Sequence, residues 1–84
     1  MKVWVVTEQT EHDESDYTDG IWVIGVFKDK VEAINFVNEH YEDERLGRGL
    51  DESADVWLDH NGAFLRDDED ACEISWAIEP HEVW

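Results

Sequence analysis

Apolar residues follow three different patterns along this chain, and each pattern predicts a different kind of element. Residues 2–8 are apolar on both faces, which is typical of a central strand. Residues 20–27 have the same character, so the two segments predict an antiparallel pair joined by a long connection. Gly25 in the second segment indicates a bulge or a close backbone approach.

The segment after these strands changes to helical spacing. Four apolar residues recur on one face and predict a helix that packs on the sheet: Ala33, Ile34, Val37 and Tyr41. Asp29 is the expected N-cap, with Glu32 as its capping-box partner three residues later. Gly47 and Gly49 are expected to end the helix.

A turn signal follows the helix. Asn61-Gly62 lies between residues able to form strands, which predicts a two-residue type I′ hairpin. This turn would pair His60 with Ala63 and Leu58 with Leu65.

Strict alternation marks the last strand. One face carries Cys72, Ile74, Trp76 and Ile78, and the other carries Glu73, Ser75 and Glu79. Pro80 is expected to end this strand, since it cannot donate a ladder hydrogen bond. The order of elements predicts an α+β fold in a single domain over residues 1–84: an antiparallel sheet of about four to five strands backed by one helix.

Charge is the outstanding feature of the composition. The chain has 84 residues, with 23 Asp and Glu against 6 Lys and Arg, so its formal net charge is −17. Such a charge argues against direct binding of nucleic acid or of an anionic membrane and favours a basic partner. No segment has the length of a membrane span, so we expect a cytoplasmic protein. Cys72 is the only cysteine, which excludes an internal disulfide.

The acids are concentrated in three clusters, which we predict to bind a partner: Glu11, Asp13, Glu14, Asp16 and Asp19; Glu39, Glu42, Asp43 and Glu44; and Asp67, Asp68, Glu69 and Asp70. Solubility of a small domain needs a net charge of only about 2 to 8. Two causes remain open for the excess. The carboxylates imitate the phosphates of DNA, of which 17 charges span roughly 29 Å of duplex axis, or they adapt the chain to high salt.

Other kinds of site find weaker support. Counting an EF-hand loop from Gly20 puts Val26 where the bidentate Glu should be, although an irregular, weak calcium or magnesium site at Asp13, Asp16 and Asp19 stays open. The four histidines lack metal-ligand spacing, and Cys72 falls on an apolar strand face. No nucleophile elbow or phosphate loop is present. We therefore expect no cofactor, no metal and no catalysis.

The five tryptophans offer a second kind of contact. Trp76 shares an apolar face and is expected in the core, whereas Trp4 and Trp22 lie on two-sided strands with one face partly covered. Trp84 is expected to be the most exposed. An exposed aromatic ring surrounded by acids would suit a protein partner.

The acidic blocks "EHDESDYTD", "EHYEDE" and "RDDED" give the chain its resemblance to a known class. Together with the small α+β domain, they resemble the acidic phage- or prophage-encoded proteins that disarm bacterial defence, in particular DNA-mimicking anti-CRISPR proteins. The resemblance implies a monomeric, non-catalytic inhibitor acting in an infected or lysogenic bacterium. Its partner would be a basic nucleic-acid-binding protein such as a type I CRISPR surveillance complex. The alternative is a salt-adapted small acidic housekeeping or protein-interaction domain.

Overall fold

The sheet is antiparallel throughout and has the strand order β2-β1-β5-β4-β3 in the computed structural model, which describes residues 1–12 and 20–83. The elements are β1 (Lys2–His12), β2 (Gly20–Phe27), α1 (Lys30–Arg48), β3 (Val56–Asp59), β4 (Gly62–Asp67) and β5 (Cys72–Glu82). The α+β prediction is thus confirmed. The predicted acids Asp13, Glu14, Asp16 and Asp19, the calcium or magnesium site and Trp84 lie outside the described residues.

The first strand lies in the interior of the sheet, with a neighbour on each side, as its two apolar faces predicted. β1 pairs with β2 on one side and along its whole length with β5 on the other. It continues to His12, four residues beyond the predicted end, because β5 offers an equally long partner. Glu11 consequently lies on a strand and not in a loop.

The helix crosses the sheet from one edge to the other. It connects β2 and β3, which are the two edge strands. Its 19 residues span about 28 Å, and five strands span about 19 Å between the outer two, so one helix suffices for the crossing. Ala33, Val37 and Tyr41 are buried against the sheet, which confirms the predicted stripe.

The two ends of the helix differ in how well they were predicted. Gly49 takes the left-handed conformation at φ 67°, and its N–H donates to the Leu46 carbonyl, as expected for a C-terminal stop. Gly47, the other predicted stop residue, lies within the helix, which continues to Arg48. Asp29 is the N-cap residue, but its side chain accepts no capping hydrogen bond, so the predicted capping box is wrong. The first turn is held by a backbone bond from Ala33 to Asp29.

Gly25 lies beside a bulge, as its position in the strand predicted. The β1–β2 register shifts between Val6 and Thr7, where Val6 pairs with Gly25 and Thr7 with Val23. A Cβ on Gly25 would lie 2.7 Å from the Phe27 ring, so the position is also closely packed.

The β3–β4 hairpin has a different register from the predicted one. Asp59 pairs with Gly62 and Leu58 with Ala63, so the two turn residues are His60 and Asn61. The Asp59 carboxylate causes this shift, because its Oδ1 accepts the N–H groups of Asn61 at 2.7 Å and Gly62 at 3.0 Å.

Pro80 does not end the last strand, contrary to prediction. Met1 and Val83 donate backbone hydrogen bonds to each other. Hydrogen-bonded and non-hydrogen-bonded pairs alternate along an antiparallel ladder, so Trp4 and Pro80 form a non-hydrogen-bonded pair. The ring nitrogen therefore faces the side where β4 would lie. Since β4 pairs only as far as Ala77, no strand there needs the missing donor.

The core lies between α1 and the inner sheet face. Its fully buried side chains include Val6, Val37, Tyr41, Leu65 and Cys72. Trp76 is 3% exposed, which confirms its predicted burial, and its ring meets that of Tyr41 edge to face at 6.4 Å. The Trp76 indole N–H donates to the Glu8 carboxylate at 2.9 Å, so this polar group has a partner.

Candidate partner-binding surface

The turn between β4 and β5 is built around one buried carboxylate. Asp67 is 8% exposed. Its Oδ1 accepts the backbone N–H of Glu69 at 3.1 Å and of Asp70 at 3.4 Å. Its Oδ2 accepts Arg48 Nη1 at 2.8 Å. Asp67 therefore shapes the turn and leaves the more exposed acids around it to face outward.

Arg48 joins the end of the helix to this turn. Besides Asp67, its guanidinium donates to Glu44 at 3.1 Å and to Asp70 at 3.2 Å. One cation thus holds three carboxylates that come from α1, β4 and the turn. Two of the three predicted acidic clusters meet at this guanidinium.

Arg66 holds two further carboxylates together, on the opposite face of the sheet. It donates to Asp68 at 2.8 Å and to Glu73 at 2.8 Å. Glu73 in turn lies directly opposite Glu11 in the β1–β5 ladder. This pairing brings the end of β1, with Glu11, to the same end of the sheet.

We call this region the acidic end and define it by seven residues: Glu11, Glu44, Asp67, Asp68, Glu69, Asp70 and Glu73. Seven carboxylates surround two arginines, which leaves a local formal charge of 2 − 7 = −5. Asp68 and Asp70 keep 86% and 57% of their side-chain surface exposed. The region is therefore an accessible anionic surface that is ordered by internal ion pairs.

The ion pair between Arg48 and Asp67 shifts the pKa values of the two groups in opposite directions. The hydrogen bond from Arg48 lowers the pKa of Asp67, and the N–H groups of Asp70 and Glu69 act in the same direction. The hydrogen bond to Asp67 raises the pKa of Arg48. Both groups therefore stay charged throughout the neutral range.

Replacing Asp67 by Asn should make the protein less stable, with a defined pH dependence. A carboxyl whose pKa is lowered by folding stabilises the fold above its unfolded pKa, and that contribution disappears as pH falls through the folded value. The difference in unfolding free energy between wild type and Asp67→Asn should be constant from about pH 7 to about pH 5 and shrink below about pH 4. Urea denaturation at each pH measures it.

The exposed Asp51 provides the control for this prediction. Asp51→Asn removes the same charge without an ion pair in the structure, so its stability should follow that of the wild type at every pH. A difference for Asp67→Asn that stays the same below pH 4 would contradict the role of the Arg48 pair.

The remaining acids of the helix cluster lie apart from the turn. Glu42 pairs with Arg45 at 2.8 Å. Glu39 and Asp43 are exposed, and Glu39 precedes Arg48 by about 13 Å along the helix axis. The structure thus brings Glu44 to the acidic end and leaves these three acids along α1.

Sequence reasoning missed the two arginines and Glu73. Arg48 and Arg66 are 18 positions apart. The role of Arg48 depends on α1 lying over β4, and that of Arg66 on the β4–β5 ladder, in which it lies directly opposite Glu73. Only the i,i+4 spacing of Glu44 and Arg48 was a local signal for an ion pair. The contact of Arg48 with Asp67 is a tertiary one.

A second exposed surface is apolar. On β2, Ile21, Val23 and Val26 are 64%, 58% and 57% exposed. Val26 pairs with Val5, next to the buried Val6, so the alternation of β1 places both on the face away from α1. Among residues 1–12 and 20–83, no element packs over that face. It is a further surface to which a protein could bind.

An open pocket of about 650 Å³ lies between α1 and the β3–β4 turn, lined by Ile34, Asn38, Leu58, Asp59, His60 and Asn61. Two of its polar side chains, Asp59 and Asn61, make structural hydrogen bonds. Asp59 accepts the turn N–H groups, and Asn61 Oδ1 accepts Lys30 Nζ at 3.3 Å. These contacts hold the hairpin next to the start of the helix.

Comparisons with protein-family models, with curated proteins and with solved structures gave no match to this chain. Within the described part of the chain, α1 lacks the apolar length needed to cross a membrane. The residues themselves therefore carry the functional argument.

Proposed function

We propose that this protein is a non-catalytic inhibitor that imitates nucleic acid. Its acidic surface would occupy the DNA-binding surface of a bacterial defence complex, as the resemblance to anti-CRISPR proteins implies, with a type I surveillance complex as the target. It would act in the cytoplasm of an infected or lysogenic bacterial host. It would bind no nucleic acid itself, because its charge repels phosphate.

One observation supports this proposal above the others. Acids from β1, α1, β4, the β4–β5 turn and β5 lie together at the acidic end. A charge that served solubility alone would need no such concentration, because a net charge of about 2 to 8 suffices for a small domain.

The internal arginines suit the carboxylates for this task. Arg48 and Arg66 offset part of the repulsion within the turn and fix the positions of its side chains. A partner then orders fewer side chains on binding, which lowers the entropic cost of association. The arginines of the target that normally hold DNA phosphates would bind the free oxygens of Asp68, Glu69 and Asp70, since Arg pairs with carboxylates and phosphates alike in a bidentate manner.

Capture from bacterial lysate tests the proposal. The immobilised protein should retain a basic nucleic-acid-binding complex, to be identified by mass spectrometry, and target DNA should compete for it. Affinity for that complex should fall at least about tenfold between about 50 mM and about 200 mM salt, because the contacts are ionic. Titrations by calorimetry at several salt concentrations measure this dependence.

A partner whose affinity does not change with salt, or that binds DNA and this protein together, would contradict mimicry. It would favour the alternative, a small protein-interaction domain that uses the exposed Ile21, Val23 and Val26. A salt-adapted housekeeping domain is distinguished by a third result: it would need molar salt to fold.

A further inference from the structure

Three side chains with different donor atoms converge beside the acidic end. His12 is the last residue of β1, Asp70 lies in the β4–β5 turn, and Cys72 is the first residue of β5. His12 and Cys72 are direct partners in the ladder. An imidazole nitrogen, a carboxylate oxygen and the thiol sulfur all lie within 4.8 Å of one another.

We infer that His12, Asp70 and Cys72 bind one zinc ion or a similar borderline-soft divalent cation, with water completing a tetrahedral site. This inference does not depend on the proposed inhibitory function. Sequence reasoning expected no metal here, because His12 and Cys72 are 60 positions apart and lack a spacing motif.

The donor set selects the kind of metal. Thiolate and imidazole suit zinc and its neighbours in the first transition row, whereas calcium and magnesium require oxygen ligands. On binding, the thiol loses one proton to solvent and the neutral imidazole donates a lone pair. One thiolate and one carboxylate then balance the two positive charges of the ion, so the site is electrically neutral.

The geometry requires only small movements. In a tetrahedral zinc site with bonds of about 2.0 to 2.3 Å, neighbouring donor atoms lie roughly 3.3 to 3.6 Å apart. His12 and Asp70 are exposed and can rotate inward, while Cys72 is fixed in the core. Arg48 donates to Oδ2 of Asp70 at 3.2 Å, which orients this carboxylate and leaves its other oxygen for the ion.

Cobalt serves as the spectroscopic probe, because a thiolate ligand to Co²⁺ gives a charge-transfer band in the near ultraviolet. Titration of the metal-free full chain with Co²⁺, in excess Mg²⁺ to occupy surface carboxylates, should give this band and saturate at about one equivalent. Zn²⁺ should remove the band by displacement. Saturating Zn²⁺ should also raise the melting temperature.

Variants assign the ligands. His12→Ala should weaken Co²⁺ affinity at least about tenfold, and Cys72→Ala or Cys72→Ser should abolish the band. His60→Ala, in the exposed β3–β4 turn, is the matched control and should bind as the wild type does. Since a change at the buried Cys72 can affect folding, the surface variant His12→Ala decides the result. Absence of the band in the wild type, or unchanged affinity in folded His12→Ala, would overturn the inference.

Discussion

Reversing two charges in the β4–β5 turn should abolish most of the binding to the target complex. Asp68 and Glu69 are exposed members of the acidic end, and Asp68→Lys with Glu69→Lys would put two cations against the basic surface of the partner. We expect a loss of at least about 2 kcal/mol, or about 30-fold in affinity. Competition with target DNA for the surveillance complex measures the effect.

A charge-matched variant at the other end of β5 separates local mimicry from net charge. Glu79 and Glu82 are 64% and 69% exposed, and each takes part in only a weak surface pair. Glu79→Lys with Glu82→Lys changes the net charge by the same amount, from −17 to −17 + 4 = −13. It should alter affinity by less than about threefold. Equal losses in the two variants would show that total charge, and not the acidic end, governs binding.

The sequence-level prediction for the first acidic cluster, between Glu11 and Asp19, can be tested in parallel. Reversing Asp13, Asp16 and Asp19 should also abolish inhibition while leaving the fold intact or slightly more stable, because repulsion is relieved. Unchanged inhibition would limit the partner-binding surface to the acidic end and α1.

Replacing Gly62 by Ala should destabilise the protein more than any other single methyl added at a glycine that the structure describes. A Cβ at this position would collide with the backbone carbonyl oxygen of Trp76 and lie 3.1 Å from its carbonyl carbon. Backbone cannot rotate away as a side chain can, so β4 would have to separate from β5. We expect a loss of about 3 kcal/mol, measured as a shift of the urea unfolding midpoint.

Gly47→Ala is the control for this result. Gly47 lies in the last turn of α1, and nothing lies within 4 Å of a Cβ added there. Alanine should stabilise the helix by about 0.5 to 1 kcal/mol, since it loses less conformational freedom on folding. A Gly62→Ala protein as stable as the wild type would show that the β4–β5 contact is looser than the structure has it.

The hairpin shows where local reasoning reached its limit. Asn61-Gly62 is a strong turn signal, and a turn does occur there, but its register is two residues from the predicted one. The Asp59 carboxylate binds the turn N–H groups, and Gly62 is needed against Trp76 on the neighbouring strand. The sequence alone does not distinguish a glycine needed for close packing, as Gly62 is, from a glycine needed in a turn.

Pro80 is a second position at which the local sequence predicted the wrong outcome. A proline ends a strand when a neighbouring strand on the side of its nitrogen needs the missing N–H as a donor. Here β4 stops at the level of Ala77, and the Ile78 N–H donates to the Asn61 carbonyl just beyond it. Pro80 lies two residues further along β5, where no strand pairs on that side. How far a neighbouring strand extends is not a property of the local sequence.

The candidate surface was predictable in composition but not in arrangement. Acidic clusters are visible in the sequence, and so is their excess over what solubility requires. That Glu44, Asp67 and Asp70 share one guanidinium, or that His12 meets Cys72, follows from the packing of α1 on the sheet and from the β1–β5 ladder.

The sequence by itself determined which elements form: periods of two and of 3.6 residues specify strands and a helix, because each element must bury one apolar face or stripe. It also determined the net charge and the clustering of the acids. Only the tertiary structure decided which strands are neighbours, where the hairpin register lies, and which acids stand together. Those outcomes depend on contacts between residues far apart in the chain, such as Met1 with Val83 and Arg48 with Asp67, whose energies no local pattern contains.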